Sequence, residues 1–348
     1  MPMTDTVPGK RTGHPYYMYD MIRETPESLD ITKKVMENID YSFLSRDSLL
    51  FTGNGTAYHA AQIGSGFLYK TNAKYAFVQS FELLNYYVPV HGTVVGISNS
   101  GKTKSTIDSL VYQKKFAYIV GITHYHNTPI SRISDKSIVI DADDKSLCNT
   151  KSFFDNAIAA MYIGSNYVNL DIDINKIITS LKSLVVSMDE KMKKIAHDIS
   201  YVNRIFVLGA GPEEPVAREA AQKIKEAAHI HAEGIELEEF IHGCTSLIDE
   251  KSLVIIINSN TVSSRTHDIV EACRVVGTKT VTINGDGDYS IDITDIGDEY
   301  LNAILNVVPL YYLAYYMAVE QNVNPDLLRF DEEKYRKFDD IVFPPGAH

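Results

Sequence analysis

The chain of 348 residues is long enough for two domains of ordinary size, each with its own buried core. Its composition, with 45% hydrophobic and 22% charged residues, is typical of a globular protein and excludes a disordered one. The formal net charge of -12 argues against nucleic acid as a partner, because a phosphate backbone is bound by a basic surface.

Neither a disulfide framework nor a targeting segment is evident. Cys148, Cys244 and Cys273 lie far apart without CxxC spacing, which indicates a reducing compartment. The N-terminal residues MPMTDTVPGKRTG lack an apolar run and read as a flexible arm. The longest apolar stretch, Ala303 to Val319, is shorter than the roughly 20 residues of a spanning helix, so we interpret it as a buried or interfacial helix. We predict a cytoplasmic protein with no membrane partner.

Short apolar runs alternate with helical patterns along the chain. Each run is followed by turn residues, which predicts buried parallel strands joined by helices. The predicted strands are Leu49–Thr52, Thr93–Ile97, Tyr118–Ile122, Ser137–Ile140, Arg204–Leu208, Leu253–Ile257 and Thr278–Ile283. Helices are predicted at Asn156–Val168, Ile174–Ile199 and Pro215–His229.

The order of these segments repeats. GNGTAYHAAQ begins at Gly53 and GAGPEEPVAREAAQ begins at Gly209, 156 residues later, each directly after a predicted strand. SFELLNY around Glu82 is echoed by LEEFIHG around Glu239. A single repeat of this length predicts a duplicated domain, and hence two tandem, doubly wound α/β halves.

The segment ISNSGKTKST, from Ile97 to Thr106, follows a strand and precedes a helix. Hydroxyl and backbone N–H groups at a helix start, with a glycine that permits close approach, form an anion site. The spacing is not that of a Walker A loop. A polar turn whose Ser or Thr caps the helix is equally compatible with these residues. GNGTAYH offers Thr56 at a second such turn, although Gly-x-Gly alone is as typical of a tight turn.

Two later segments carry ionisable groups. In the helix Pro215–His229, Glu219, Lys223 and Glu226 share one face. This pattern suits a proton-transfer cluster, but from the residues alone ion pairs on a surface helix are the favoured interpretation. HAEGIELEEFIHG combines several glutamates with His242, whose imidazole suits a proton shuttle and is also common at surfaces. HxxxH and HExxH spacings are absent, so we expect no metal.

Together these segments resemble the sugar isomerase (SIS) domain family. The pattern is similar to the isomerase half of the glucosamine-fructose-6-phosphate aminotransferases. The matching segments, in chain order, are YYMYDMIRETPESL, GNGTAYHAA, SNSGKT, NTKSF, EAAQKIKEAAHIHAEG, EEFIHG and NVNPDLLRF. The resemblance implies two tandem SIS domains, each a mainly parallel five-stranded sheet flanked by helices in a three-layer, flavodoxin-like α/β/α arrangement.

The resemblance also implies domain boundaries. An N-terminal arm and leading helix are expected at 1–30, the first SIS domain at 31–170 and the second at 171–325. A C-terminal tail at 326–348 is expected to close over the active site.

Roles for individual residues follow from the resemblance. Glu226 matches the glutamate that moves a proton between C1 and C2, with Lys223 and Glu219 as its companions. His242 matches a histidine that opens the sugar ring from a second subunit, which implies a homodimer. No cofactor is implied. The implied substrate-binding residues are Thr56, Ser98, Asn99, Ser100, Thr103 and Asn149.

The chain also departs from the family pattern. Lys102 replaces an acid in the serine-rich loop, Ala57 replaces a serine, and Cys244 replaces a proline. Pro2 stands where a glutaminase domain would place its cysteine, so we expect no glutamine hydrolysis. The reactive lysine of the family's tail has Lys334 as its nearest match; the same tail segment, EKYRKF, also offers Lys337.

We therefore predict a phosphosugar isomerase or amino-sugar-phosphate deaminase that acts on a hexose or hexosamine 6-phosphate through an enediol or enolamine. The NPD-x-x-R tail and the displaced lysine leave open a deglycase that cleaves phosphorylated sugar–amino acid adducts. A regulator that only binds sugar phosphate also stays open, although the retained ionisable residues argue against it.

Overall fold

The computed structural model describes residues 9–44, 47–140 and 143–343. Residues 1–8 of the predicted N-terminal arm lie outside this description. The chain divides into two compact units. Among the described residues, unit 1 is built on Glu24–Asn175 and includes 329–343, and unit 2 is built on Lys10–Arg23 and Lys176–Leu328.

Each unit contains a parallel sheet with helices between successive strands, except between the last two strands of unit 2. In unit 1 the strands are β1 (Leu49–Gly53), β2 (Tyr75–Gln79), β3 (Thr93–Ile97), β4 (Tyr118–Thr123) and β5 (Lys136–Val139). In unit 2 they are β6 (Arg204–Gly209), β7 (His231–Glu236), β8 (Ser252–Ile257), β9 (Lys279–Ile283) and β10 (Tyr289–Ile291).

The helices are likewise numbered in chain order. The first six are α1 (Tyr17–Glu37), α2 (Thr56–Gly64), α3 (Ser80–Asn85), α4 (Lys104–Gln113), α5 (Pro129–Ile133) and α6 (Lys151–Val168). The later ones are α7 (Ile174–Ser187), α8 (Asp189–Asp198), α9 (Glu214–Ala228), α10 (Leu237–Ile241), α11 (Ser263–Val275), α12 (Glu299–Glu320) and α13 (Glu333–Val342).

The two sheets have the same topology. Their strand orders are β2-β1-β3-β4-β5 and β10-β9-β8-β6-β7 among the described residues. Counted within each unit, both are the flavodoxin-like order 2-1-3-4-5. The predicted fold class and the predicted duplication are therefore confirmed. In such sheets ligands bind at the carboxyl ends of the strands where the order reverses, which in unit 1 lies between β1 and β3.

Three strands, β2, β7 and β10, were not predicted. Each lies at an edge of its sheet and has several partly exposed residues. An edge strand is covered less completely than a central one, so β7 (HAEGIE) and β10 (YSI) lack the continuous apolar run that marks the central strands, although β2 (YAFVQ) has four apolar residues in a row. The segment from His231 that drew attention for its ionisable residues therefore begins as an edge strand.

The single helix predicted over 174–199 is wrong. The structure has two helices, α7 and α8, with Met188 between them. Asp189 and Glu190 stand in the first turn of α8, where negative charge is favourable, and the Asp189 carboxylate accepts a 2.6 Å hydrogen bond from the Tyr19 hydroxyl. The tyrosine that contacts the start of the new helix is 170 residues away, so local periodicity does not reveal this contact.

The long apolar segment forms α12 as predicted. By length and composition it is the one helix among the described residues that could cross a membrane, but 89% of its most apolar stretch is buried in the protein. Such burial is typical of a core helix, so the test is weak evidence for a membrane span. Within unit 2, α12 packs against α8 and α9.

The NPD segment near the C-terminus has a structural role. The buried Asp326 carboxylate accepts hydrogen bonds from the backbone N–H groups of Tyr17 at 2.9 Å and Met18 at 2.8 Å. These are free donors of the first turn of α1, so Asp326 caps that helix from the other end of unit 2. The segment is therefore explained without a role in substrate choice.

A buried carboxyl and a buried amide face each other at the start of α9. The Oε1 atom of Glu213 accepts a 2.9 Å hydrogen bond from Asn306 Nδ2 on α12. Glu213 Oε2 and Asn306 Oδ1 are both buried acceptors without a partner among the described residues. Burial raises the pKa of Glu213 to about 8, and the carboxylate of Glu299 acts in the same direction. One proton on Oε2, donated to Oδ1, would satisfy both orphaned atoms.

We expect this proton to make stability depend on pH. Since the pKa is raised in the folded protein, the stabilisation is complete at low pH and is lost as pH rises toward 8, at about 1.4 kcal/mol per pH unit. Glu213→Gln keeps both hydrogen bonds without a titrating group. Its free energy of unfolding in urea should therefore rise relative to wild type between roughly pH 5 and pH 8.

Glu213→Ala is the matched comparison, because it also removes the titrating group but leaves Asn306 unpaired. It should show the same slope relative to wild type at a lower overall stability. A difference between wild type and Glu213→Gln that does not change with pH would show that Glu213 is not protonated in the fold.

Candidate active site

Two hydroxyl-bearing loops of unit 1 leave adjacent strands at the same edge of the sheet. β1 and β3 pair in parallel, and the loops that follow them contain Thr56 and the serine-rich segment. Asn54 links these loops, since its Nδ2 donates to Ser105 Oγ at 2.9 Å and to Thr106 Oγ1 at 3.1 Å. The two predicted anion-binding turns therefore form one polar surface, at the reversal point of the strand order.

The serine-rich loop is a tight turn held by its own groups. The N–H of Gly101 donates to Ser98 O at 3.0 Å and to Ser98 Oγ at 3.1 Å. Gly101 has φ +64°, and a Cβ there would lie 2.4 Å from Thr128 Oγ1. Both the conformation and the space require glycine. The turn thereby brings Ser98 Oγ to 3.0 Å from Thr103 Oγ1.

The start of α4 favours an anion site over a simple helix cap. Thr103 occupies the N-cap position but makes no side-chain capping hydrogen bond. Its hydroxyl bonds to Ser98 instead, which leaves the first-turn N–H groups without that side-chain acceptor. Exposed N–H groups at a helix start attract anions. The nearby Asn99 Oδ1 is buried and has no partner among the described residues.

A chain of buried hydroxyls supports the loop from below. Thr52 Oγ1 lies 3.0 Å from Ser80 Oγ, which lies 3.0 Å from Thr106 Oγ1. Together with Asn54 these residues hold the beginning of α4 against the ends of β1 and β2. Sequence reasoning missed this set, although Asn54 and Thr106 stand inside the segments that it singled out.

In unit 2 the helix α9 packs closely on the sheet. Gly234 on β7 makes this possible, because a Cβ there would lie 2.5 Å from the Cα of Arg218. The apolar and alanine positions of α9 are buried, and the helix also contacts α12. Lys225 on the same helix is exposed.

Glu219, Lys223 and Glu226 lie together on one face of α9, as their spacing predicts. Lys223 Nζ lies 2.6 Å from Glu226 Oε2 and 3.7 Å from Glu219 Oε1. The Lys223 and Glu219 side chains are 1% and 0% exposed, whereas that of Glu226 is 20% exposed. Gln222 Nε2 donates to the other oxygen of Glu226 at 2.7 Å. The interpretation that the spacing alone favours, ion pairs on a surface helix, is therefore wrong, because Lys223 and Glu219 are buried.

The three side chains differ in their exposure, and they can therefore perform different tasks. Glu219 is sealed, and its Oε1 accepts a 2.7 Å hydrogen bond from Tyr311 on α12. Lys223 is equally sealed and holds both carboxylates. Glu226 alone of the three is partly exposed, so its carboxylate is the one that can exchange a proton with a small molecule. Tyr311 was missed, since nothing in its position among the tyrosines of α12 indicates its partner.

His242 stands apart from this cluster. It follows the last residue of α10, its side chain is 66% exposed, and its Nε2 lies 3.9 Å from Glu238 Oε1. Within the described residues no hydrogen bond or ion pair joins it to Glu226 or Lys223. Its predicted role from a second subunit remains a prediction.

The remaining predicted residues lie in unit 1. The Lys334 side chain is 69% exposed, with Nζ 3.4 Å from Glu332 Oε2, and Lys337 pairs with Glu333 at 2.7 Å. Asn149 is half-buried just before α6 and makes no hydrogen bond to either polar loop in the described parts of the chain. The structure therefore brings Thr56 and the serine-rich loop together but does not join Lys334 or Asn149 to them.

None of the three cysteines, all of which lie in the described ranges, forms a disulfide, and Cys244 stands beside His242 in sequence. Burial and the carboxylates of Glu233 and Glu239 raise the pKa of the Cys244 thiol. Among the described residues no group of three or more His, Cys, Asp and Glu side chains could hold a metal ion.

Comparison with known proteins gives related sequences over almost the whole chain. A glutamine–fructose-6-phosphate aminotransferase (isomerizing) from Sulfolobus acidocaldarius is 26% identical over 344 residues, which is 92% of this chain and 57% of that protein. A protein of the same name from Fusobacterium nucleatum is 28% identical over 90% of the chain. The chain thus spans a little more than half the length of these curated relatives.

A solved structure shares the fold. The C-terminal domain of glucosamine-fructose-6-phosphate aminotransferase from Francisella tularensis has a TM-score of 0.77 at 22% identity, and the match covers 90% of this chain and 98% of that one. At this identity the likeness establishes the fold alone. Residues 198–321 match the SIS domain family. The chain therefore carries a SIS domain in its second half, and its predicted resemblance to the sugar isomerase domain family is confirmed.

Proposed function

We propose that this chain is a phosphosugar isomerase or amino-sugar-phosphate deaminase that acts on a hexose or hexosamine 6-phosphate. The observation that carries the proposal is the partly exposed Glu226 carboxylate, held at 2.6 Å by the buried ammonium of Lys223. A carboxylate positioned in this way is suited to serve as a general base toward a carbon acid. Relatives and structural neighbours named as aminotransferases, a deaminase and a ketose/aldose isomerase of sugar phosphates support the substrate class.

The proposed chemistry balances without a redox partner. In the open-chain form of glucosamine 6-phosphate, Glu226 removes the proton from C2, next to the C1 aldehyde. The electron pair forms the C1–C2 double bond while the C1 carbonyl oxygen takes a proton from water, which gives an enolamine. The proton on Glu226 then returns at C1. The ketimine left at C2 is hydrolysed by water to fructose 6-phosphate and ammonia. Since the carbonyl itself acidifies the carbon, we propose that no cofactor is needed.

Each other residue has a task in this proposal. Ser98, Ser100, Thr103 and Thr56 bind the phosphate with hydroxyl groups, Asn99 assists them, and the N–H groups at the start of α4 add to the positive potential. Lys223 and Glu219 position Glu226 and do not touch substrate. We further propose that His242 opens the sugar ring and does so in the site of a second copy of the chain.

Two other functions are weighed against this one. A deglycase would use the same base on a sugar–amino acid adduct, but the NPD segment no longer favours it, because Asp326 caps α1. A regulator that only binds sugar phosphate would have no need for a buried lysine between two carboxylates, which is costly unless it is fully paired.

We expect Glu226→Gln to abolish turnover while leaving binding intact. The amide cannot take the proton, yet it keeps the shape of the carboxylate, so activity on glucosamine 6-phosphate should fall by at least about a hundredfold. Ammonia release measures turnover, and calorimetric titration with the same sugar phosphate measures binding.

Glu214→Gln is the control on the same helix, because Glu214 pairs with Arg218 away from the cluster and should retain activity. Near wild-type turnover by Glu226→Gln would remove Glu226 from the reaction. Release of an amino acid from a fructosamine 6-phosphate, with no ammonia from glucosamine 6-phosphate, would make the chain a deglycase.

The shared role of His242 has a test of its own. Glu226→Gln and His242→Asn should each be inactive alone. If His242 serves the Glu226 of the partner, a mixed dimer contains one site with both residues intact. Mixing the two variants, under conditions that allow subunits to exchange, should then restore ammonia release. A mixture that forms mixed dimers and stays inactive would place both residues of a site on one chain.

A further inference from the structure

The serine-rich loop contains a lysine, Lys102, that forms no ion pair within the described part of the chain. Lys102 is half-buried, and its backbone N–H donates to Ser100 Oγ at 3.2 Å, which fixes it in the turn. Its ammonium makes no ion pair or side-chain hydrogen bond among the described residues. Lys104, two positions later, instead pairs with Asp108 at 2.6 Å. In a chain of net charge -12, a half-buried lysine with no ion pair among the described residues is an unusual feature.

The duplicated fold supplies an internal comparison. The corresponding segment of unit 2, INSNTVSSRT, follows β8 as ISNSGKTKST follows β3. The first loop residue is held alike in both, since Ser98 N donates to Ile122 O and Asn258 N donates to Ile283 O. The position of Lys102 is occupied by Val262 in unit 2.

The cation of the second loop is neutralised. Arg265 makes two hydrogen bonds to the Glu238 carboxylate, at 2.8 and 2.6 Å. The side chain of Thr261 in the same loop lies 3.4 Å from Glu299. Both helix starts lack a side-chain cap, so the two loops differ in charge: among the described residues, the loop of unit 1 carries a lysine without an ion pair, whereas the arginine of unit 2 is paired.

We propose that Lys102 contacts the phosphate of the substrate and makes unit 1's loop selective for a phosphate monoester dianion. This inference rests on the proposed function, and it adds a specificity-determining residue to the hydroxyl and N–H groups already assigned. A lysine ammonium binds phosphate as a point charge and favours the dianion over neutral sugars. It acts on binding in the ground state and the transition state alike, because the phosphate does not react.

Lys102→Met tests the proposal, with Lys104→Met as the control that removes the same charge two residues away. By calorimetric titration, Lys102→Met should bind inorganic phosphate and glucosamine 6-phosphate about tenfold or more weakly, and Lys104→Met should bind both nearly as wild type does. Lys102→Arg should retain most of the affinity, which separates loss of charge from misfolding. In turnover, Lys102→Met should raise KM and leave kcat nearly unchanged.

Equal phosphate affinity in wild type and Lys102→Met would overturn the proposal. It would also be overturned if Lys102→Met lost affinity only for a fructosamine 6-phosphate, because Lys102 would then contact the amino acid carboxylate. The binding of inorganic phosphate does not depend on turnover. A wild-type protein that binds phosphate through Lys102 but converts no sugar phosphate would therefore refute the proposed function and leave this inference standing.

Discussion

The buried ammonium of Lys223 is the interaction on which the proposed chemistry depends. It neutralises Glu219, which is fully buried, and it fixes Glu226, which is not. Without the lysine, Glu219 would be an uncompensated buried charge, a defect that costs on the order of 3–5 kcal/mol. The cluster in turn requires α12, whose Tyr311 donates to Glu219, and Gly234, which lets α9 approach the sheet. The geometry of one carboxylate is thus set by the packing of three elements of unit 2.

The second functional feature is positioned by topology. The duplicated 2-1-3-4-5 sheet places the ends of β1 and β3 side by side, so loops distant in sequence meet at one edge. The glycine at 101 and the hydroxyl chain from Thr52 to Thr106 then set the loop's shape. The equivalent loop of unit 2 has the same topology but a neutralised cation. Duplication therefore supplied two scaffolds, of which unit 1's presents the charge that suits an anion.

Much of the fold and part of the candidate site could be predicted from the sequence, for identifiable physical reasons. Central strands have continuous apolar runs, and the i, i+4, i+7 spacing of Glu219, Lys223 and Glu226 places them on one helical face whatever covers it. Burial of that face was not predictable, because the covering Tyr311 is 92 residues away. The same limit applies to edge strands such as β7, to the start of α8 at Asp189, and to the cap that Asp326 provides for α1, 309 residues away.

The central claim is that this chain moves a proton between adjacent carbons of a sugar phosphate. Its most direct test is incubation of the wild-type protein with glucosamine 6-phosphate in heavy water, followed by NMR at C1 and C2. The account predicts fructose 6-phosphate with deuterium at C1, formed together with ammonia. Ammonia release without deuterium in the product would still agree with the account, because a proton can be transferred directly from C2 to C1 within a site shielded from solvent. Recovery of unchanged, unlabelled sugar phosphate without ammonia would contradict the account.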